Sequence, residues 1–141
     1  MAVLLSATTA FGADQGNVLG RWNDAGRDAL LEIYQCGAKI CGKIVWLKNP
    51  KYMDSKDGPV GKTKVDRKNP NPALRNQPIL GLKVMRELTP QGGNKWGNGI
   101  CYDPETGKTY KCQMKLESPK RLILRGYIGF SILGRNYFLT R

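Results

Sequence analysis

The chain of 141 residues has no histidine, only 11 acidic side chains, and no apolar run long enough to cross a bilayer. Without histidine, the side chain that ordinarily titrates near neutral pH and most often ligates metals is missing. There is no Gly-x-Ser-x-Gly elbow and no phosphate-cradling glycine loop ahead of a helix. The carboxylates are scattered: Asp54, Asp57 and Asp66 share one long loop. Asp103 precedes Pro104, where an aspartate usually caps its own backbone. An enzyme is therefore not expected, nor is a metal site or a cofactor.

What the chain does have is four cysteines in two local pairs. Cys36 and Cys41 flank Gly37-Ala38-Lys39-Ile40, and Cys101 and Cys112 flank a turn-rich stretch, Asp103 to Lys108. Folding each segment as a symmetric hairpin sets its thiols opposite one another, at the separation a cross-strand disulfide needs. Each bridge would contribute about 2–3 kcal/mol and would persist in an oxidising compartment. Four reduced, buried cysteines are the competing arrangement. Zinc is disfavoured, because Cys-x4-Cys and Cys-x10-Cys do not match structural knuckles. Four cysteines allow three pairings, of which register best supports the two-hairpin one.

Residues 1–13 are uncharged, small and apolar, ending in Phe11-Gly12-Ala13 before Asp14, and resemble the apolar region and cleavage site of a secretory signal peptide without its positive leader. The alternative is an apolar first element of the domain. The expectation is a periplasmic or secreted protein, with residues 14–141 forming a single domain.

The 23 basic side chains give a net charge of +12. Between Lys48 and Arg86, ten basic side chains face three aspartates, a local net of +7. Such an excess suits an anionic envelope surface more than nucleic acid, given the export signal and the fold expected below.

Short alternating runs separated by Gly, Pro, Asn and Asp mark an all-β barrel or sandwich. Eight strands are predicted, at Leu19–Asn23, Ala29–Gln35, Ile40–Leu47, Ile79–Leu88, Lys95–Tyr102, Thr109–Leu116, Arg121–Ile128 and Gly134–Thr140. The stretch from Lys48 to Pro78, with five prolines, is the exception. Asn71 as N-cap and Pro72 after it predict one short helical turn there.

In the first hairpin, Cys36 opposite Cys41 sets Leu31 against Trp46 and Ile33 against Ile44 on an apolar face, and Tyr34 against Lys43 on a polar one. In the second, Cys112 shares a face with Tyr110, Met114 and Leu116. Cys101 shares its own with Gly97 and Gly99, which sends Trp96, Ile100 and Tyr102 outward; either a β-bulge shifts the register, or the glycines leave room inside the sheet for another group.

Several runs carry a family likeness: Gly20-Arg21-Trp22, Cys41 to Leu47, Asp66-Arg67-Lys68-Asn69-Pro70-Asn71-Pro72-Ala73-Leu74-Arg75, Gly99 to Tyr110, Leu124-Arg125-Gly126-Tyr127, and the final Thr140-Arg141. In this order they resemble the DUF2147 family of small exported bacterial proteins. The resemblance implies a lipocalin-like (calycin), eight-stranded up-and-down β-barrel of the bacterial envelope and no settled activity. Where that family usually closes with an aromatic before Thr-Arg, this chain has Leu139.

In such a barrel Trp22 opens the first strand, and Arg141 or Arg135 on the last strand can stack on its indole to close one end. The residues expected to point inward are Leu31, Ile33, Ile44, Trp46, Leu80, Leu82, Val84, Tyr110, Met114, Leu122 and Leu124. Trp46, Tyr110 and Met114 are the expected ligand wall. The expected function is binding of a small apolar or amphipathic molecule by a monomer or weak dimer, with Lys62, Lys64, Arg67 and Arg75 of the loop meeting an anionic head. The competing reading is a non-catalytic, solid barrel that holds a protein partner or polyanionic surface by its basic face.

Overall fold

The computed structural model describes residues 17–129 and 134–141; the leader-like stretch 1–13 lies outside the described residues. Strands β1 (Gly20–Asn23), β2 (Ala29–Cys36), β3 (Lys39–Leu47), β4 (Lys83–Gly92), β5 (Lys95–Asp103), β6 (Lys108–Ser118), β7 (Arg121–Tyr127) and β8 (Arg135–Thr140) close an antiparallel barrel in sequence order. No helix among the described residues is long and apolar enough to cross a membrane.

Alternation in β6 shows why these segments are strands: Cys112, Met114 and Leu116 are buried, while Lys111, Gln113 and Lys115 are exposed. The same period places Ile33, Ile40, Leu122 and Leu139 in the core.

Both disulfides form, Cys36–Cys41 and Cys101–Cys112, with Cα atoms 5.9 and 6.0 Å apart. Neither pair is directly opposed as expected. Gly37-Ala38 is a two-residue turn that sets Cys36 against Lys39 and Cys41 against Tyr34. Likewise Cys101 faces Tyr110, and Cys112 faces Gly99. Each hairpin has slipped by two residues. A two-residue slip keeps every side chain on its predicted face, so the thiols meet diagonally on a shared face.

Two expected inward residues, Trp46 and Leu80, are exposed instead. Beside Trp46 the β2–β3 register shifts, with Leu30 facing Trp46 and Leu31 facing Ile44; this bulge turns Trp46 out of the core, 46% exposed. Strand β4 starts at Lys83 and not at Ile79, because Gly81 turns the chain at φ +93°. Leu80 is consequently exposed on the preceding connection. Val84 is buried within the core cluster and Leu82, just ahead of the strand, packs against it, and both also line a groove under the β3–β4 connection. Met85 and Leu88 fill the interior. Glu87, at φ +64° between them, is the bulge that lets residues three apart share a face.

In β5 the expected bulge is present. The ladder shifts between Trp96 and Gly99, with Asn98 at φ +55°, and this brings Trp96 into the core while Ile100 and Tyr102 stay outside. The space over Gly99 is occupied as well. A Cβ there would lie 2.5 Å from Leu88 Cδ2 and 2.9 Å from Cys112 Sγ.

Candidate functional site

The two ends of the barrel differ. At the base, Trp22 is fully buried and its Nε1 donates to the Val18 carbonyl at 2.9 Å. The Arg141 guanidinium lies 4.1 Å from the Trp22 ring centroid and donates to the carbonyls of Pro119, Leu19 and Asn17. Of the two basic residues expected on the last strand, Arg141 makes the stack.

Arg135 is at the other end. It pairs with Gly126 in the ladder and shares the inward face of β8 with Tyr137 and Leu139. That face lines a rim. A Cβ on Gly126 would lie 3.9 Å from both Tyr110 and Tyr137. Leu139 is buried near the base, whereas Tyr137 is 55% exposed and Tyr110 and Leu124 are partly exposed. Met114 is buried below them. Trp96 Nε1 is the buried side-chain polar atom without a hydrogen-bond partner among the described residues.

The long β3–β4 connection, residues 48–82, forms a strap built on its own small core. Tyr52 is buried, its hydroxyl donates to the Val65 carbonyl and accepts from the Val65 N–H, and Arg67 lies over its ring. Asn71 caps a single 3-10 turn, Pro72–Leu74, as expected. Arg67 also donates to the Asp57 carbonyl and Arg75 Nε to that of Asn69, so both are braced on the strap itself. Lys62 is exposed and Lys64 half-buried. The strap touches the β5–β6 turn at Gly107, where φ is +75° and a Cβ would collide with the Lys68 carbonyl. Asp103 caps that turn, accepting from the Glu105 N–H and the Thr106 hydroxyl.

The strap is pinned by Asp66, which is fully buried. Its Oδ1 accepts from the Tyr102 hydroxyl at 2.7 Å, and its Oδ2 from Asn69 Nδ2 at 2.8 Å and Gln77 Nε2 at 3.2 Å. Burial, then the bond to Asp66, raises the Tyr102 phenol above its ordinary pKa. Beside this network lies a groove of about 200 Å³ between the strap and the outer wall of β4–β6. Val84 and Ile100 lie along it, and Lys83, Arg86 and Thr109 border it. A wider hollow of about 390 Å³ adjoins across Gln77, Leu82 and Lys83.

Sequence reasoning placed Tyr102 outward and Asp66 in a loop, but it did not connect them. Nor did it single out Asn69, Gln77, Arg86 or Thr109 as site residues.

Replacing Asp66 by Asn should destabilise the fold by about 2 kcal/mol, because a charged acceptor of three bonds becomes a neutral group with donors of its own. Urea unfolding reads this, with faster proteolysis inside the strap; unchanged values for both would contradict the pinning role. Tyr102 supplies a pH test. Its raised pKa means the folded state favours the neutral phenol, so its contribution is complete below the unfolded pKa of about 10 and is lost as pH climbs above it. Wild type should therefore lose more stability than Tyr102→Phe on alkaline titration, and parallel curves would refute the assignment.

A protein from the human pathogen Helicobacter pylori, described as belonging to the lipocalin family, has a similar solved structure, with a TM-score of 0.72 at 22% identity over 88% of this chain and 82% of that one. No curated protein sequence matches this one. The described barrel is thus lipocalin-like in fold. The model of an uncharacterized protein conserved in bacteria, DUF2147, matches residues 20–141, and the chain belongs to that family.

Proposed function

We propose that this protein is an exported, lipocalin-type carrier that takes a small amphipathic molecule with an anionic end into a shallow cup at the rim of its barrel. The observation that carries the reading is the asymmetry of the two ends. Trp22 and Arg141 seal the base, while inward-facing Tyr110, Leu124 and Tyr137 keep exposed surface at the rim. Small-molecule sites combine apolar walls with a few polar groups, and the two tyrosines have both.

The head group falls to Arg135, on the inward face at the rim, rather than to Arg67 and Arg75, which brace the strap. Lys62 and Lys64 are left as long-range attraction. Two disulfides and membership of a bacterial family support export.

Titration with anilinonaphthalene sulfonate, an anionic amphipathic fluorophore, and with neutral phenylnaphthylamine tests this. Both should bind saturably. Arg135→Ala should weaken the sulfonate roughly tenfold and spare the neutral probe, as loss of one charge-assisted contact predicts. Tyr137→Ala should weaken both. The filled lower interior supports a second reading, a solid barrel acting through its basic face. Attachment to anionic vesicles that collapses with salt, with neither fluorophore bound, would favour it.

A further inference from the structure

We propose that the groove between the strap and the outer wall of β4–β6 is a second binding site, for a compact organic anion that also carries a hydrogen-bond donor. The site is built from both sides. On the strap side, Asn69 and Gln77 are oriented because their amide nitrogens donate to buried Asp66. On the barrel side, Tyr102 is oriented by donating its hydroxyl proton to the same carboxylate. This commits each donor and leaves Gln77 Oε1 and the Tyr102 hydroxyl oxygen as acceptors. Asp66 is a positioning residue, the buried group that holds the wall in place before a ligand arrives.

The charge comes from Lys83 and Arg86. Both border the groove, and no hydrogen bond or ion pair of either side chain is found among the described residues, although both lend weaker attraction to Glu87. The neighbouring acid, Glu87, is taken by Lys39 at 2.6 Å. Two cations without a direct ion-pair partner beside fixed acceptors match a ligand bearing a carboxylate or phosphate at one end and a hydroxyl or amine at the other. Val84 and Ile100 provide an apolar strip between them. At about 200 Å³ the groove by itself suits a small metabolite, with the adjoining hollow of about 390 Å³ leaving room for an extension past Gln77. The site lies outside the barrel wall and does not depend on the rim cup.

Titration of the full chain with 4-hydroxybenzoate, followed by amide NMR, tests the site. Saturable shifts are expected at Lys83, Arg86, Ile100, Tyr102 and Thr109. The methyl ester, which lacks the charge, should bind at least tenfold more weakly. The double variant Lys83→Gln, Arg86→Gln should lose tenfold or more while keeping a folded spectrum, and Tyr137→Ala, which touches the cup alone, should leave the groove's shifts and affinity for 4-hydroxybenzoate as in wild type. Absence of saturable shifts, equal affinity for the ester, or an unimpaired double variant would overturn the proposal. So would shifts centred on Tyr110 and Tyr137, which would assign the probe to the cup instead.

Discussion

Truncating Trp22 to alanine is expected to cost about 3–5 kcal/mol, among the largest single losses available in this barrel. The indole is fully buried and hydrogen-bonded to Val18, and it carries the Arg141 guanidinium on its face. The seam between the first and last strands makes the position unusually sensitive. Strands β1 and β8 share one ladder pair, Asn23 with Thr140, whereas β7 and β8 share six. Closure therefore rests on side chains, and the Arg141 fork bridges the preceding β6–β7 turn to the chain leading into β1. Arg141→Ala should cost about 2 kcal/mol, and Arg141→Lys should recover little, because an ammonium cannot reproduce a planar, three-carbonyl fork. A double-mutant cycle read by urea unfolding should show coupling of about 1 kcal/mol between the two residues. Additive losses would mean that the stack contributes nothing beyond separate packing.

The barrel was legible because period-two alternation punctuated by Gly, Asn and Asp recurs eight times, and an eight-stranded antiparallel chain with short turns closes on itself readily. Both disulfides were legible for a similar reason. Their exact opposition was wrong, but the side-chain period forgives a slip of two residues, and Cys101 still met Cys112. The errors cluster where backbone conformation departs from the strand. Glu87 and Asn98 have positive φ, which nothing in the local sequence demands of a glutamate, and each moves its neighbours to the other face. Trp46 was displaced in the same way by a bulge. The run Ile79 to Leu82 is apolar enough to read as strand, but Gly81 turns it.

Site residues divide along the same line. Tyr110 and Met114 follow from alternation in a regular strand, and both face inward as read. The groove could not be read, because it exists only where a proline-rich strap lies on a sheet. Asp66 and Tyr102 are 36 residues apart, and no periodicity links them. A weak signal was present in that an aspartate, two asparagines and prolines stand close together between Asp66 and Pro72, a composition suited to side-chain–backbone turns. That pattern announces an ordered loop without saying what it is ordered against.

Removing Cys101–Cys112 through the double variant Cys101→Ser, Cys112→Ser should lower stability by about 3 kcal/mol or more, against about 2 kcal/mol for Cys36→Ser, Cys41→Ser. The two bridges differ in loop and in setting. They close sequence separations of 11 and 5, which in the chain-entropy model corresponds to about 2.8 and 2.1 kcal/mol. Cys112 is also fully buried against Leu88 and Gly99, so a serine hydroxyl there must find a partner or add the penalty of an unsatisfied polar group. Cys36 is partly exposed at the base, where a hydroxyl can reach water. Urea unfolding with and without dithiothreitol separates bond from packing: reductant should destabilise wild type by more than either double variant and leave the quadruple variant unchanged. Equal stability of wild type and the Cys101/Cys112 variant would show that this bridge constrains nothing the β5–β6 ladder does not already hold. The expected loss instead ties the order of Tyr110, the ladder partner of Cys101, to the oxidised bridge, and with it the cup proposed above.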